Sequence, residues 1–141
     1  MAGNAAGYVC PFDGGNPRII TGKAIEAVSG GWLVIASGAS NTVSSGLNSF
    51  VADDIWIAKG ASGLAFNGVA IENVESGTYV GVATAGLVIM NADGTVTAGY
   101  TVIASEGNDT VQVGTTAGKV IGRAWTNAAS GGYALIQLGG V

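Results

Sequence analysis

The sequence predicts an all-β protein, a small antiparallel β-barrel or β-sandwich preceded by an extended arm. From residue 18 onward the chain consists of short runs rich in Val, Ile, Thr and aromatic residues, each bounded by Gly, Asn, Asp or Ser, which is the composition of strands and turns. These runs recur about every ten residues, a spacing typical of antiparallel sandwiches and barrels. None keeps a helical period, and the best helix candidate, "SGLNSFVAD" at residues 45–53, is only a turn or two long.

The chain divides into an N-terminal arm, residues 1–18, and one β-domain, residues 19–141. The arm contains two prolines and the turn cluster "DGGNP" but no alternating or helical pattern. Such a stretch cannot offset its own ordering cost of roughly 1–2 kcal/mol per residue, so we expect it to lie along another subunit. The apolar residues that would anchor the arm there are Tyr8, Val9, Pro11 and Phe12.

The predicted strands follow one another from Arg18 to the end of the chain. In order they are "RIITGKAIEA", "GWLVIAS", "DIWIAKG", "LAFNGVAIEN", "TYVGVATAGLVIM", "GTVTAGYTVIAS", "TVQVG", "KVIGRAWTN" and "GYALIQL". Gly68, Gly81 and Gly122 fall inside these apolar runs. Because glycine weakens a regular strand, we expect bulges or sharp bends of the sheet at these positions.

One short unit is repeated along the β-domain. The stretch "GVAIENVESGTYVGV" (68–82) matches "GRAWTNAASGGYALI" (122–136) without a gap at its Gly, Ala, Asn, Ser-Gly and Tyr positions. An earlier copy, "GKAIEAVSGGWLVI" (22–35), has one residue fewer before its Ser-Gly and places Trp32 where the others have Tyr79 and Tyr133, and "TAGYTVIAS" (97–105) is a shorter fourth version. Each copy predicts a turn at a glycine with positive φ, followed by an aromatic residue that covers the end of a barrel. The unequal spacing of the copies excludes a regular solenoid.

Charge and cysteine content exclude several classes of function. The net charge is −4 with only five Lys and Arg, which leaves no basic stripe for phosphates, so we expect no nucleic-acid partner. Only 10% of the residues are charged, against roughly a quarter to a third on typical soluble surfaces, so we expect much of the surface to be buried against other subunits. Cys10 is the only cysteine and histidine is absent, which predicts neither an internal disulfide nor a zinc site. No stretch has the length of a membrane span or the pattern of a secretory signal, so we expect a soluble protein made in the cytoplasm, without membrane contact.

Candidate catalytic and metal-binding patterns are incomplete, so we expect neither enzymatic activity nor a cofactor. Asp53 and Asp54 are adjacent, which points their side chains to opposite faces of an extended strand. The acids in "NADGT" and "SEGNDT" do not complete a calcium-binding loop, and "GTTAGK" lacks the spacing of a phosphate-binding loop.

A carbohydrate-binding module stays open as an alternative, because aromatic side chains can form a platform for a sugar. The other interpretation of the same residues is that they plug the ends of a barrel. The aromatic residues concerned are Tyr8, Trp32, Trp56, Tyr79, Tyr100, Trp125 and Tyr133.

The order of these motifs resembles the small all-β capsid decoration, or cement, proteins of tailed phages. The segments that carry the resemblance are "ITGKAIEAVSGGWLVIASG", "NGVAIENVESGTYVGVATAGLVIM", "GTVTAGYTVIAS" and "GKVIGRAWTNAASGGYALIQL", which together span about residues 19–138. The resemblance implies a β-tulip-like barrel that binds the major capsid protein on the outside of an icosahedral head and stabilises it, commonly as a homotrimer. It also implies an N-terminal arm that adds to a strand of the shell protein, and a virion location.

The chain departs from the family pattern at two places. Residues 41–66 form a longer segment than expected, and an aromatic residue follows Gly99 where the family usually has an acid. The longer segment contains the apolar run "DDIWIAKG", so we expect Ile55, Trp56 and Ile57 near a subunit or shell contact. The alternative is that alternate residues of this run point into the core. A tail-tube or fibre subunit of a virion is the nearest rival function, since it too is an all-β assembly protein with few charges.

Overall fold

The computed structural model describes residues 17–37, 43–45, 50–52, 55–60, 66–105, 110–116 and 120–139. These residues form strands and turns without helix, which confirms the all-β prediction. The strands are β1 (Arg18–Ala24), β2 (Leu33–Ala36), β3 (Val43–Ser45), β4 (Phe50–Ala52), β5 (Trp56–Lys59), β6 (Gly68–Ala70), β7 (Tyr79–Ala92), β8 (Thr101–Ala104), β9 (Thr110–Val113), β10 (Val120–Ala124) and β11 (Tyr133–Leu138).

The helix candidate at residues 45–53 is wrong where the structure describes it. Strand β3 pairs antiparallel with β4, and Ser45 lies opposite Phe50. Ser, Val and Phe in this segment favour the extended backbone, and no long apolar stripe was present to stabilise a helix.

The strands pair into two rings that share the long strand β7. In the first ring the order is β1, β5, β2, β6 and β7, and β7 returns to β1. In the second the order is β7, β11, β10, β8 and β9, and β9 returns to β7. Gly86, with a φ of 92°, lies in the middle of β7 and marks the boundary. We call residues 18–85 the first half and residues 86–138 the second half.

The two halves repeat each other strand for strand and in the same register. The row Leu33–Val69–Ala83 of the first half corresponds to the row Thr101–Arg123–Gln137 of the second half. The row Lys23–Trp56 of the first half corresponds to the row Asn91–Thr110 of the second half. The second pair of rows is parallel, so the sheet is mixed rather than wholly antiparallel. β2 runs in the opposite direction to β1, and β5 pairs antiparallel with β2, so β5 runs in the same direction as β1. β9 is parallel to β7 for the same reason.

The hydrophobic core repeats with the strands. Seven buried residues of the first half form one cluster: Ala24, Val28, Val34, Ile57, Ala70, Val80 and Val82. Their counterparts in the second half are all buried in a second cluster: Ala92, Val96, Val102, Val111, Ala124, Ala134 and Ile136. Because the counterparts are of similar size, each ring packs its interior in the same way.

The repeated unit in the sequence is a four-residue turn with its flanking residues. The turn joins β1 to β2, β6 to β7, β7 to β8 and β10 to β11; the second and fourth of these connections join paired strands. The turn has a backbone bond from the fourth residue to the first, for example from Thr78 N to Glu75 O (3.2 Å). The third residue must then have positive φ, as in a type II turn, and glycine meets this need. The four glycines at this position have φ between 81° and 88°: Gly31, Gly77, Gly99 and Gly131.

The sequence alignment of the first copy was wrong by one residue. Gly31 rather than Gly30 occupies the turn position, so the copy has the same length as the others. Leu33 therefore takes the position that Tyr79 has in the copy at 68–82. Trp32 takes the position that Tyr100 has in the shorter copy at 97–105.

The turns lie in pairs, and this pairing explains the repeated Asn. In the first half Val28 and Val74 exchange backbone bonds of 3.1 and 2.9 Å, and in the second half Val96 and Ala128 do the same. The repeated Asn accepts from the opposite turn: Asn73 Oδ1 from Gly30 N (2.9 Å), and Asn127 Oδ1 from Ala98 N (2.8 Å). The repeated Asn thus satisfies a backbone N–H group of the opposite turn.

Two of the glycines inside strands are required by close strand approach. A Cβ on Gly68 would lie 2.6 Å from the Ala83 carbonyl oxygen, and one on Gly122 would overlap the Gln137 carbonyl oxygen. A register shift lies next to Gly122, as expected for a bulge, whereas the space over Gly81 is filled by the side chain of Ile71.

The longer segment of the first half has a definite place in the repeat. Eighteen residues separate Ser37 from Trp56, where four separate Ser105 from Thr110. From Trp56 to Ala70 the spacing equals that from Thr110 to Ala124. The added residues therefore lie between β2 and β5, where they include the β3–β4 hairpin, and not across the whole of residues 41–66.

Candidate functional site

The predicted contact residues lie partly outside the described part of the chain. The arm residues Tyr8, Val9, Pro11 and Phe12 precede Pro17, where the description begins, so their role stays a prediction. Of the other three, Ile55 is 40% exposed and Trp56 is half-buried, but Ile57 is only 2% exposed and belongs to the first core cluster. Ile55, which precedes β5, and Trp56 therefore lie at the surface, whereas Ile57 does not.

Trp56 lies in a row of side chains on the outer surface of the first half. Lys23 is opposite both Trp56 and Tyr79 in register, and its Nζ lies 4.9 Å from the Trp56 ring centre and 5.2 Å from the Tyr79 ring centre. A cation at these distances is attracted to both ring faces. The Tyr79 ring is nevertheless 54% exposed, so it does not plug the barrel as the sequence suggested.

One row on the outer surface of the first half is an internal packing face. Leu33, Val69 and Ala83 form one row across β2, β6 and β7, and all three are buried in the cluster that otherwise consists of second-half residues. Phe66 and Ile71 pack against the same cluster. The two halves are thus held together by an apolar contact, which accounts for the apolar character of this row. We call this contact, with Leu33, Val69 and Ala83 on the first-half side, the inter-half cluster.

The same row in the second half is polar, with Arg123 exposed and Thr101 and Gln137 half-buried. Its members are Thr101, Arg123 and Gln137, and Arg123 Nη1 donates to Gly99 O (2.9 Å). Beside them Trp125 is 60% exposed, and its Nε1 donates to Gln137 Oε1 (2.8 Å). Tyr100, next to Thr101, is 56% exposed. We call Thr101, Arg123, Trp125 and Gln137 the Trp125 face.

A small hollow adjoins the Trp125 face. It has a volume of about 270 Å³ and is lined mainly by apolar atoms of Ile89, Thr126, Tyr133, Ala134 and Leu135. Backbone bonds place it directly beside the tryptophan, since Trp125 N donates to Leu135 O (2.8 Å) and Leu135 N donates to Thr126 Oγ1 (2.9 Å).

Two further grooves lie over the paired turns, one in each half. The first contains Ser29 and Asn73, and the second contains the corresponding Thr97 and Asn127. Because both halves have a groove at corresponding residues, the grooves result from the pairing of the turns and carry no sign of a specific ligand.

Charged side chains are sparse on the described surface. Lys59 Nζ and Glu26 Oε1 are 4.0 Å apart with both groups well exposed, a pair of little energetic value. Ser105 donates a hydrogen bond to Asp93. Within the described ranges no group of three or more His, Cys, Asp or Glu residues could hold a metal ion, and no helix there is long and apolar enough to cross a membrane.

Sequence reasoning named Trp125 only as one of several aromatic residues and missed its surroundings. The signal was available in the repeat, where Ile71, Val69 and Ala83 of one copy become Trp125, Arg123 and Gln137 of the other. A change from apolar to polar at matched positions indicates that one face is packed and the other is not.

Comparison with known proteins shows a similarity of fold. No protein-family model matches the chain, and no curated protein matches it in sequence. Among solved structures, the N base of the head fiber gp8.5 of bacteriophage phi29 superposes with a TM-score of 0.59 at 19% sequence identity, over 86% of this chain and 93% of that one. The chain therefore shares the fold of a phage head-fiber base.

Proposed function

We propose that this chain is a structural protein of a phage particle, which binds the outer surface of an icosahedral head and stabilises it. The observation that carries the proposal is the similarity of fold to the phi29 head-fiber base over nearly the whole of both chains. The resemblance of the sequence to capsid decoration proteins of tailed phages points in the same direction. The major capsid protein is the proposed partner, and the host cytoplasm is the proposed site of synthesis.

The architecture suits a mechanical role. The two rings close on themselves and leave few strand edges open, which gives a rigid body without a cofactor. The low charge of the chain favours burial against other subunits, and each square ångström of apolar surface removed from water contributes about 25 cal/mol. We propose that the protein has no enzymatic activity and that it acts as a homotrimer, since closed cyclic symmetry is the usual arrangement of such subunits.

Attachment is proposed to depend on the arm, residues 1–18. Strand β1 begins at Arg18, so the arm leads directly into a strand of the first ring. Main-chain bonding to an exposed strand edge of the shell needs no special side chains, and Tyr8, Val9, Pro11 and Phe12 would supply apolar anchors. Ile55 and Trp56 are proposed as a further contact, to a neighbouring subunit or to the shell.

The central experiment is a binding assay with shells that lack the protein. Full-length protein and a variant without residues 2–16 are added, and bound copies are counted against the major capsid protein. We expect the truncated variant to fold, with the same strand content by circular dichroism, but not to bind. Undiminished binding of the truncated variant would show that the arm is not the attachment element.

Particle composition and heat resistance test the remaining parts of the proposal. Shells with the protein should survive higher temperature than shells without it, and equal survival would remove the stabilising role. Labelling with antibody in electron micrographs should decorate heads. Decoration confined to tails would favour the rival tail-tube or fibre function.

A further inference from the structure

We propose that the Trp125 face binds a hexopyranose unit of a glycan, with the indole ring as the stacking platform. This inference goes beyond the proposed attachment to a shell and does not depend on it. It rests on four features of the second half: the contrast with the packed row of the first half, the fixed indole, the adjoining hollow and the polar groups around the ring.

The contrast between the halves shows that the fold does not need this tryptophan. The residue that corresponds to Trp125 is Ile71, which packs over Gly81 and against the inter-half cluster. Trp125 makes the same backbone bond to its neighbour strand as Ile71 does, but its side chain is 60% exposed. A large apolar ring exposed at a position where a smaller, packed residue satisfies the fold favours a binding role over a folding role.

The indole is held in one orientation. Its Nε1–H bonds to Gln137 Oε1 at 2.8 Å, and Gln137 is opposite Arg123 across the strand pair. A ring fixed in this way loses little conformational freedom when a ligand covers it. The negative face of an indole attracts the weakly positive C–H groups of an apolar sugar face.

Polar groups and a recess of suitable size surround the ring. The guanidinium of Arg123 keeps further N–H donors beyond the one that binds Gly99 O, and the amide of Gln137 has an NH₂ group; both can donate to sugar hydroxyls. The hollow beside Trp125 measures about 270 Å³, just below the range of about 300–1,000 Å³ that is typical of small-ligand sites. A few polar groups at the rim of an apolar recess are what orient a small ligand.

These features favour a sugar over a dry protein contact. Where this chain packs one half against the other, the row is wholly apolar, since Leu33, Val69 and Ala83 are all buried there. The corresponding row here is Thr101, Arg123 and Gln137, which suits a ligand covered with hydroxyl groups and bridging water.

Saturation-transfer NMR on the isolated full-length protein tests the proposal. The probes are the methyl glycosides of glucose, galactose, mannose and N-acetylglucosamine, followed by a printed glycan array to find larger ligands. We expect transfer to the C–H protons of at least one pyranose, and a loss of affinity of at least tenfold in Trp125→Ala. Arg123→Val and Gln137→Leu should each weaken binding by a smaller factor.

Tyr79→Ala is the matched control, because Tyr79 is about as exposed as Trp125 but lies on the first half. It should bind sugars as the unmodified protein does, and all variants should keep the urea midpoint within about 0.8 M of that of the unmodified protein, as expected for the loss of one exposed hydrogen bond. Absence of transfer from every probe and array glycan, or transfer that persists in Trp125→Ala, overturns the proposal. So does a Trp125→Ala variant that changes only the oligomeric state or shell binding, since the face would then contact protein.

Discussion

Replacing Val69 by arginine tests the inference that the two matched rows differ because one is packed and the other is not. Arginine is the residue at the corresponding position 123 of the second half, so the backbone of the repeat accommodates it. Val69 has no solvent exposure and lies in the inter-half cluster. The reciprocal change, Arg123→Val, puts the first-half residue on an exposed surface and is the matched control.

The structure predicts very different costs for the two changes. Val69→Arg loses the burial of a valine, about 1.5–3 kcal/mol, and places an unpaired charge in an apolar contact, which costs about 3–5 kcal/mol when a buried ion lacks its partner. We expect a total loss of at least about 4 kcal/mol, a large part of the 5–15 kcal/mol that stabilises a typical domain. Arg123→Val loses one exposed hydrogen bond to Gly99 O, about 0.5–1.5 kcal/mol.

Urea unfolding followed by tryptophan fluorescence measures both costs. With a slope of about 2 kcal/mol per molar, Val69→Arg should lower the midpoint by about 2 M and Arg123→Val by less than about 0.8 M. If Val69→Arg does not fold at all, Val69→Ala serves in its place and should cost about 1–3 kcal/mol. Equal midpoints for Val69→Arg and Arg123→Val would refute the assignment of the row as an internal packing face.

Three other expectations follow from the repeat and from exposure. Gly68→Ala should lower the free energy of unfolding in urea by about 2–4 kcal/mol, because its Cβ would meet the Ala83 carbonyl oxygen at 2.6 Å. The control Gly132→Ala should lower it by less than about 1 kcal/mol. Similar values for both variants would contradict the close approach of β6 and β7. A variant in which the four-residue "EGND" connection of the second half replaces residues 38–55 should give the circular dichroism spectrum of a folded β protein, since both halves keep the same strand register. Loss of cooperative melting in this variant would show that the added segment is needed for folding. Trp125→Phe should remove most of the fluorescence that acrylamide quenches, because Trp125 is 60% exposed; unchanged quenching would place the ring in a buried position.

The local structure of this protein was largely determined by its sequence. β-branched runs between glycines predict strands and turns because these preferences act over a few residues. The repeated Gly, Asn and Ser were visible as letters, and two of their roles, a positive-φ turn at Gly77 and a bulge next to Gly122, followed from general rules for glycine. The one-residue error in the first copy arose because two adjacent glycines, Gly30 and Gly31, are equivalent in sequence and differ only in φ.

The arrangement of the repeats was decided only by the tertiary structure. Which turns pair, and that each set of five strands closes into a ring, depends on contacts between residues far apart in the chain, which local preferences do not specify. Burial depends on the same contacts. Ile55 and Ile57 are alike in sequence, but only Ile57 points into a ring, and Val69 and Arg123 occupy equal positions of which only one meets the other half. The exposure of Trp125 follows from that asymmetry, because the second half has no further half within the described chain to cover its outer face.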